Sequence, residues 1–379
     1  MGDDEYRTPG QLIEHLLEER GWTQRILAIV LRIDESGLNK LVAAKRPLDA
    51  NLAIALGEVF GVDPDRLLEL QKSYDLAKAR LVTRPDPGRA MRAWLFGNLP
   101  VAEMMARGWI ETADLREVSK VETGLCRFFS VPSVDQIEFL PHAPKKTDVF
   151  APPTAAQLAW LYRVREIAAE MLVPRYSPRG LRDAVEAMRP LRIAVEATRK
   201  VPRILSDAGV RFVIVETLKS AKIDGVCFWL NDLSPVIAMS LRYDRIDNFW
   251  FVLRHEIEHV MRRHGKGAVM LDAELEGERA GSGPTVVEEE RVANEAAADF
   301  CVSQASLDRF IARKAPYFPE RDMLGFAHTL QIHPGLVAGQ LQRRTGRYDR
   351  FRTHQVKVRY SIAPCAVVDG WGDVAPVGD

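Results

Sequence analysis

Along residues 8–80 the apolar positions recur at helical spacing, interrupted by short polar turns. Leu12, Ile13, Leu16 and Leu17 form one stripe, which predicts a helix over Gly10–Arg20 stopped by Gly21. Thr23 is placed to cap a second helix, Gln24–Leu31, and Asp34 a third, Glu35–Ala43. Two more are predicted around Asn51–Phe60 and Pro64–Lys78. Gly61 closes the fourth, and Asp63-Pro64 opens the fifth as cap and first-turn proline. The turn formers of Arg84–Gly88 predict a boundary. Residues 89–200 read as mostly helical, broken near Pro141–Lys146 and at Pro152-Pro153, with Trp109, Ile110, Phe128 and Phe129 as core anchors. The period then shortens. Val210–Val215, Val226–Leu230 and Val236–Leu241 predict three strands, with Asn231-Asp232 turning between the last two. Helices resume at Asp247–Arg263, Val287–Phe310 and Arg321–Leu330, and the Gly/Pro-rich stretch 365–379 is predicted to fray.

Composition narrows the class. A chain of 379 residues accommodates two or three domains, and 47% hydrophobic residues suffice for ordinary globular cores. Lys+Arg and Asp+Glu number 52 each. That balance argues against a nucleic-acid coat protein but leaves room for a small DNA reader, because local charge matters more than the total. Residues 1–80 carry 11 basic and 14 acidic side chains. Four cysteines without CxxC spacing read as reduced thiols of a cytoplasmic protein rather than as a disulfide framework. The acidic start has no apolar signal segment, and no run approaches ~20 apolar residues, so no membrane association is expected.

Five short helices with a capped third frame a helix-turn-helix. Gly21-Trp22-Thr23-Gln24, Leu27-Ala28, Ile33-Asp34-Glu35-Ser36, Leu38 and Lys45-Arg46 fall at the spacings of the XRE group of lambda-repressor-like domains. With Thr8-Pro9-Gly10 and Gln71–Tyr74, the segment resembles HigA-type antitoxins. In that resemblance the helix beginning at Gln24 lies across the DNA backbone with its amides near a phosphate. The next helix enters the major groove, presenting Ser36, Gly37, Asn39 and Lys40. Asn39 suits adenine, and Lys45 and Arg46 suit phosphates. Arg32 and Ala44 stand where glycines are expected in the two turns. The implied partner is double-stranded operator DNA, bound by a homodimer if the operator is palindromic.

Further along, His255-Glu256-Ile257-Glu258-His259 places two imidazoles one helical turn apart, within reach of one ion, with Glu256 beside them as a candidate general base. Phe249–Leu253 supplies apolar residues to bury such a helix. A third ligand is needed, and Glu288-Glu289-Glu290 opens a second helix whose small residues permit close packing. At this point the chain resembles the ImmA/IrrE metallopeptidases, in which HExxH is followed by Glu-x-x-Ala-Asn/Asp-x-x-Ala-Ala. Aligning Ala293-Asn294 on that pattern makes Glu290 the third ligand, with Glu289 and Glu295 as alternatives. Lys222–Leu230, Val236–Arg242 and His333–Leu341 extend the resemblance, while Phe300–Ser303 and Val292 depart from it. His264, Tyr243 and His333 are candidate oxyanion stabilisers, Asp272 or Asp299 a candidate partner of a ligand histidine, and Trp229 and Trp250 core anchors.

Together the two resemblances imply an α+β chain. A helix-turn-helix domain spans 8–80, a helical connector 89–200, a zincin-like metallopeptidase domain with a small β-sheet 201–345, and a C-terminal extension 346–379. They imply a bacterial transcriptional regulator with a Zn²⁺-dependent endopeptidase site, at which Mn²⁺ or Fe²⁺ are also chemically suited. The substrate would be a repressor, an antitoxin or the chain itself, and a cognate toxin is a further candidate partner. The alternative is a non-proteolytic antitoxin or repressor whose metal domain senses or scaffolds.

Overall fold

A computed structural model describes residues 6–84, 99–111, 114–137, 154–266, 270–273 and 288–376, with isolated positions between 86 and 97. The chain divides into two compact units, Met1–Arg89 and Ala90–Asp379.

The first unit is helical: α1 (Pro9–Arg20), α2 (Gln24–Leu31), α3 (Glu35–Val42), α4 (Ala50–Phe60) and α5 (Pro64–Val82). Thr8, Thr23, Asp34, Asp49 and Asp63 each accept a backbone N–H of the first turn that follows, which fixes the five starts. Leu12, Ile13, Leu27, Leu38, Leu41, Leu56 and Leu67 form the core. Arg32 and Ala44 adopt left-handed backbone, with φ 53° and 55°, where glycine would relieve about 1 kcal/mol of strain each. The fifth helix runs to Val82, beyond the Lys78 at which the sequence pattern weakens.

The second unit continues with α6 (Val101–Ala106), α7 (Val118–Phe129), α8 (Ala155–Glu170), α9 (Pro178–Met188), α10 (Val201–Asp207), β1 (Arg211–Val215), β2 (Ile223–Trp229) and β3 (Pro235–Met239). After these come α11 (Ile246–Met261), β4 (Met270–Ala273), α12 (Glu288–Cys301), α13 (Gln304–Lys314), α14 (Glu320–Leu330), α15 (Pro334–Thr345), α16 (Arg359–Ile362) and β5 (Val367–Asp369). The sheet is mixed and five-stranded, in the order β4-β2-β3-β1-β5. β2 is antiparallel to β3 and β4, and β1 is parallel to β3 and β5.

Alternation along the strands sorts side chains to two faces. Phe212, Ile214, Cys227, Ile237 and Met239 join the core that contains α11. Val213, Val215, Val226, Phe228, Val236 and Ala238 join a second core with Trp109, Phe128, Phe129 and Trp160. The stretch expected as a connector therefore covers one face of the sheet.

Three expectations need correction. The sheet gains β4 and β5, so it has five strands rather than three. The stretch 365–379 does not simply fray, because Val367–Asp369 pairs with β1. Asp369 is fully buried and accepts from Trp109 Nε1 at 2.9 Å and Arg163 Nε at 2.7 Å. The helix expected over Val287–Phe310 is two helices: α12 ends at Cys301, and α13 begins where Asp299 accepts the Gln304 N–H at 3.0 Å. The breaks expected at 141–146 and 152–153 lie outside the described residues.

Candidate functional site

Every residue of α11 except Arg254 and Met261 is buried, so this helix is enclosed on nearly all sides. It packs against β2, β3, α12 and α15. Burying so polar a sequence requires partners. Burial pushes the Glu258 carboxyl up, but hydrogen bonds from Arg254 at 2.8 Å and Arg262 at 2.7 Å outweigh it and hold Glu258 below the usual carboxylate range. The basic side chains of α11 are thus engaged along the helix itself.

His255 and His259, one turn apart, have their Nε2 atoms 2.9 Å from each other. Glu290, in the first turn of α12, brings Oε2 to 3.2 Å from His255 Nε2 and Oε1 to 3.4 Å from His259 Nε2. Both imidazoles are fully buried, and the Glu290 side chain is 12% exposed. Ligands at zinc distances in a tetrahedron stand about 3.3 Å apart, so this donor set has the spacing one ion needs, with a fourth corner left over. Ala293 and Ala297, both fully buried, leave α12 no bulk to hold it away from α11.

The run of three glutamates illustrates how a helix selects one residue, since successive side chains diverge by about 100°. Glu288 is held below its ordinary range by its hydrogen bond from Arg291. Glu289 points its Oε1 to 3.9 Å from His264 Nε2. Glu290 alone of the three turns to the histidine pair. Glu295 pairs with Arg291.

Glu256 is fully buried beside the ligand face. A Cβ added to Gly225 of β2 would lie 2.2 Å from Glu256 Oε1 and 2.8 Å from Val252 Cγ1. The missing side chain at Gly225 is therefore what makes room for the candidate base. A glycine inside a strand signals such close approach, but Gly225 precedes the start predicted for that strand.

Other candidates are engaged elsewhere. His333 caps α15, its Nδ1 accepting the Gly335 N–H at 3.0 Å, and burial lowers its pKa. The Tyr243 hydroxyl accepts from Arg242 at 3.1 Å. Asp299 is exposed and caps α13. Asp272 lies in β4 opposite Gly225. Trp250 is fully buried in the core, and Trp229 is partly buried against it.

In the first unit α2 and α3 form the helix pair read from the sequence. Ser36, Asn39, Lys40, Lys45 and Arg46 are exposed, while Gly37 and Gln24 are partly covered. Leu38, Leu41 and Val42 anchor the opposite face of α3. The Arg46 guanidinium sits beside Gly37, 3.0 Å from where a Cβ there would stand. Ile26, Ile29 and Val30 make the outer face of α2 apolar, with Ile29 68% exposed, a feature the helical stripe did not single out.

Among the described residues no helix is long and apolar enough to cross a membrane. No protein-family model matches the chain. Virulence-associated protein I of Dichelobacter nodosus is 33% identical over 72 residues, which make up 19% of this chain and 67% of that protein. The uncharacterized HTH-type transcriptional regulator YddM of Escherichia coli (strain K12) is 34% identical over 71 residues, 19% of this chain and 76% of that protein. In its helix-turn-helix region the chain belongs to the family of HTH-type transcriptional regulators.

Proposed function

We propose that the chain is a cytoplasmic, DNA-binding transcriptional regulator whose second unit is a zinc-dependent endopeptidase acting on a repressor, an antitoxin or the chain itself. The observation that carries the second half is the convergence of His255 Nε2, His259 Nε2 and the Glu290 carboxylate on one point, with Glu256 buried alongside. An ion held there would act as a Lewis acid toward a peptide carbonyl and acidify a water. Glu256 would take the proton from that water and return it to the leaving amine. The enclosure of α11 keeps these groups dry, where their charges act most strongly. In the first unit the exposed Ser36, Asn39 and Lys40 would meet base edges of operator DNA, and Lys45 and Arg46 its phosphates.

Metal content of the purified full chain tests the site. About one zinc per chain, lost in both His255→Ala and Glu290→Ala, supports it. No zinc after reconstitution sinks the peptidase reading and leaves a regulator. The complete burial of His255, Glu256 and His259 supports a second reading, a non-proteolytic repressor or antitoxin whose metal domain senses or scaffolds. Glu256→Gln separates the two. If peptide cleavage is the function, this variant keeps its zinc and loses cleavage by roughly 10²–10⁴-fold. Unchanged regulation by the variant favours the sensor.

A further inference from the structure

The residue that completes the histidine pair lies just past the end of α11. His264 sits in a turn whose backbone is fastened independently of its ring. Its N–H donates to His259 O at 2.9 Å, and its carbonyl accepts from Trp229 Nε1 at 2.8 Å. Gly265 follows at φ 77°, and a Cβ there would stand 2.7 Å from the Cys227 carbonyl oxygen of β2. Lys266 covers the Trp229 ring at 4.9 Å and pairs with Asp232 at 2.9 Å. The turn is thereby pressed onto β2, and the ring it carries is aimed at α11.

That ring places its Nδ1 2.9 Å from Nδ1 of His259. The other nitrogen of His259, Nε2, is the one that faces His255 and Glu290. An imidazole that gives its Nε2 lone pair to a cation while neutral carries its proton on Nδ1, and a buried N–H needs an acceptor. At 2.9 Å only one of the two Nδ1 atoms can carry the proton, so the His264 Nδ1 must offer its lone pair. With its Nδ1 lone pair so used, His264 carries its N–H on Nε2, on the side of Glu289, whose Oε1 is 3.9 Å away.

We infer that His264 is a positioning residue, whose Nδ1 accepts the His259 Nδ1–H and so fixes the tautomer and ring plane in which His259 presents Nε2 to the metal. The inference rests on the zinc reading above. It also commits the His264 Nδ1 to His259, so any donation by His264 to a developing oxyanion would have to come from its Nε2–H.

The test compares zinc affinity of the full chain, by competition with a chromophoric chelator, for wild type, His264→Ala and His264→Asn. Asparagine places its Oδ1 near the position of the histidine Nδ1 and keeps an acceptor. His264→Ala is expected to weaken zinc binding by roughly 10–100-fold, and His264→Asn by less than about threefold. Cobalt-substituted His264→Ala should show shifted visible absorption bands, with His264→Asn resembling wild type. Equal thermal unfolding of the three metal-free proteins would assign the loss to the hydrogen bond. An alanine variant that binds zinc as tightly as wild type overturns the inference. So does an equal loss in both variants, which would mark the ring as packing. A wild-type chain that takes up no zinc fails the earlier reading itself, and this inference with it.

Discussion

The two candidate sites keep their polar groups in opposite places. On α3 the side chains facing outward, Ser36, Asn39 and Lys40, are exposed, and the helix is held from behind by Leu38, Leu41 and Val42. On α11 the ionisable groups His255, Glu256 and His259 are themselves part of the interior. A site of the first kind can change its residues without disturbing what holds it. A site of the second kind cannot, because each polar group there is both chemistry and packing.

The contrast sets the expected effects of substitution. The largest is in the buried unit. Asp369→Ala takes from the Arg163 guanidinium, 5% exposed, the fully buried one of its two carboxylates, leaving Glu166 at 2.7 Å, strands the Trp109 N–H, and should destabilise this unit by about 3 kcal/mol. Denaturant unfolding followed by tryptophan fluorescence would measure it, and a loss under about 1 kcal/mol would mean the pair is dispensable. Gly225→Ala comes next. Its methyl would press on Glu256 and Val252, costing about 1–3 kcal/mol in stability and displacing the candidate base. A stable, fully active Gly225→Ala would show that the close approach is not required.

On the exposed side, Asn39→Ala should leave unfolding within about 0.5 kcal/mol of wild type yet weaken operator binding by roughly 1–3 kcal/mol. Lys45→Ala should weaken binding to all sequences alike and lower the slope of log K against log salt by about one. Equal effects of Asn39→Ala on specific and nonspecific DNA would erase the distinction between reading and anchoring.

The smallest effect is a pH dependence. His333 has its pKa lowered, first by burial and then by His354. Its neutral form is the one folded, with Nδ1 accepting from Gly335. A base with a depressed folded pKa contributes stability that is complete above its unfolded value, about 6.5, and is lost as pH falls through the folded value. The second unit should therefore weaken as pH falls below about 6.5. His333→Asn, a neutral cap, should flatten that part of the profile. An unchanged profile would assign the dependence to other groups.

What was legible follows from range. Caps and stripes act within a few residues, so all five helices of the first unit, including the start of α2 at Gln24 and of α3 at Glu35, stood out from neighbouring residues. The Glu290 position in the first turn of α12 came from the motif resemblance, and helix geometry accounts for why its two neighbours point elsewhere. β4 and β5 were not legible. Strands of four and three residues are too short to establish alternation, and β5 is held by Asp369 pairing with Arg163, 206 positions earlier. Gly225 was missed because it precedes the predicted start of its strand and its contact is with a distant helix. Its role exists only once α11 lies against β2.

The position of β5 also orders events during synthesis. The first unit has all its described core residues by Leu67 and can close as soon as they leave the ribosome. The second cannot complete its sheet until residue 369 emerges, because β5 and Asp369 join β1 and Arg163 from the far end. At translation rates of about 5–20 residues per second, the nascent chain carries a finished helical unit for some tens of seconds before the other is whole. Over that interval the outward face of α3 is already formed, while the buried arrangement around α11 still lacks its last strand.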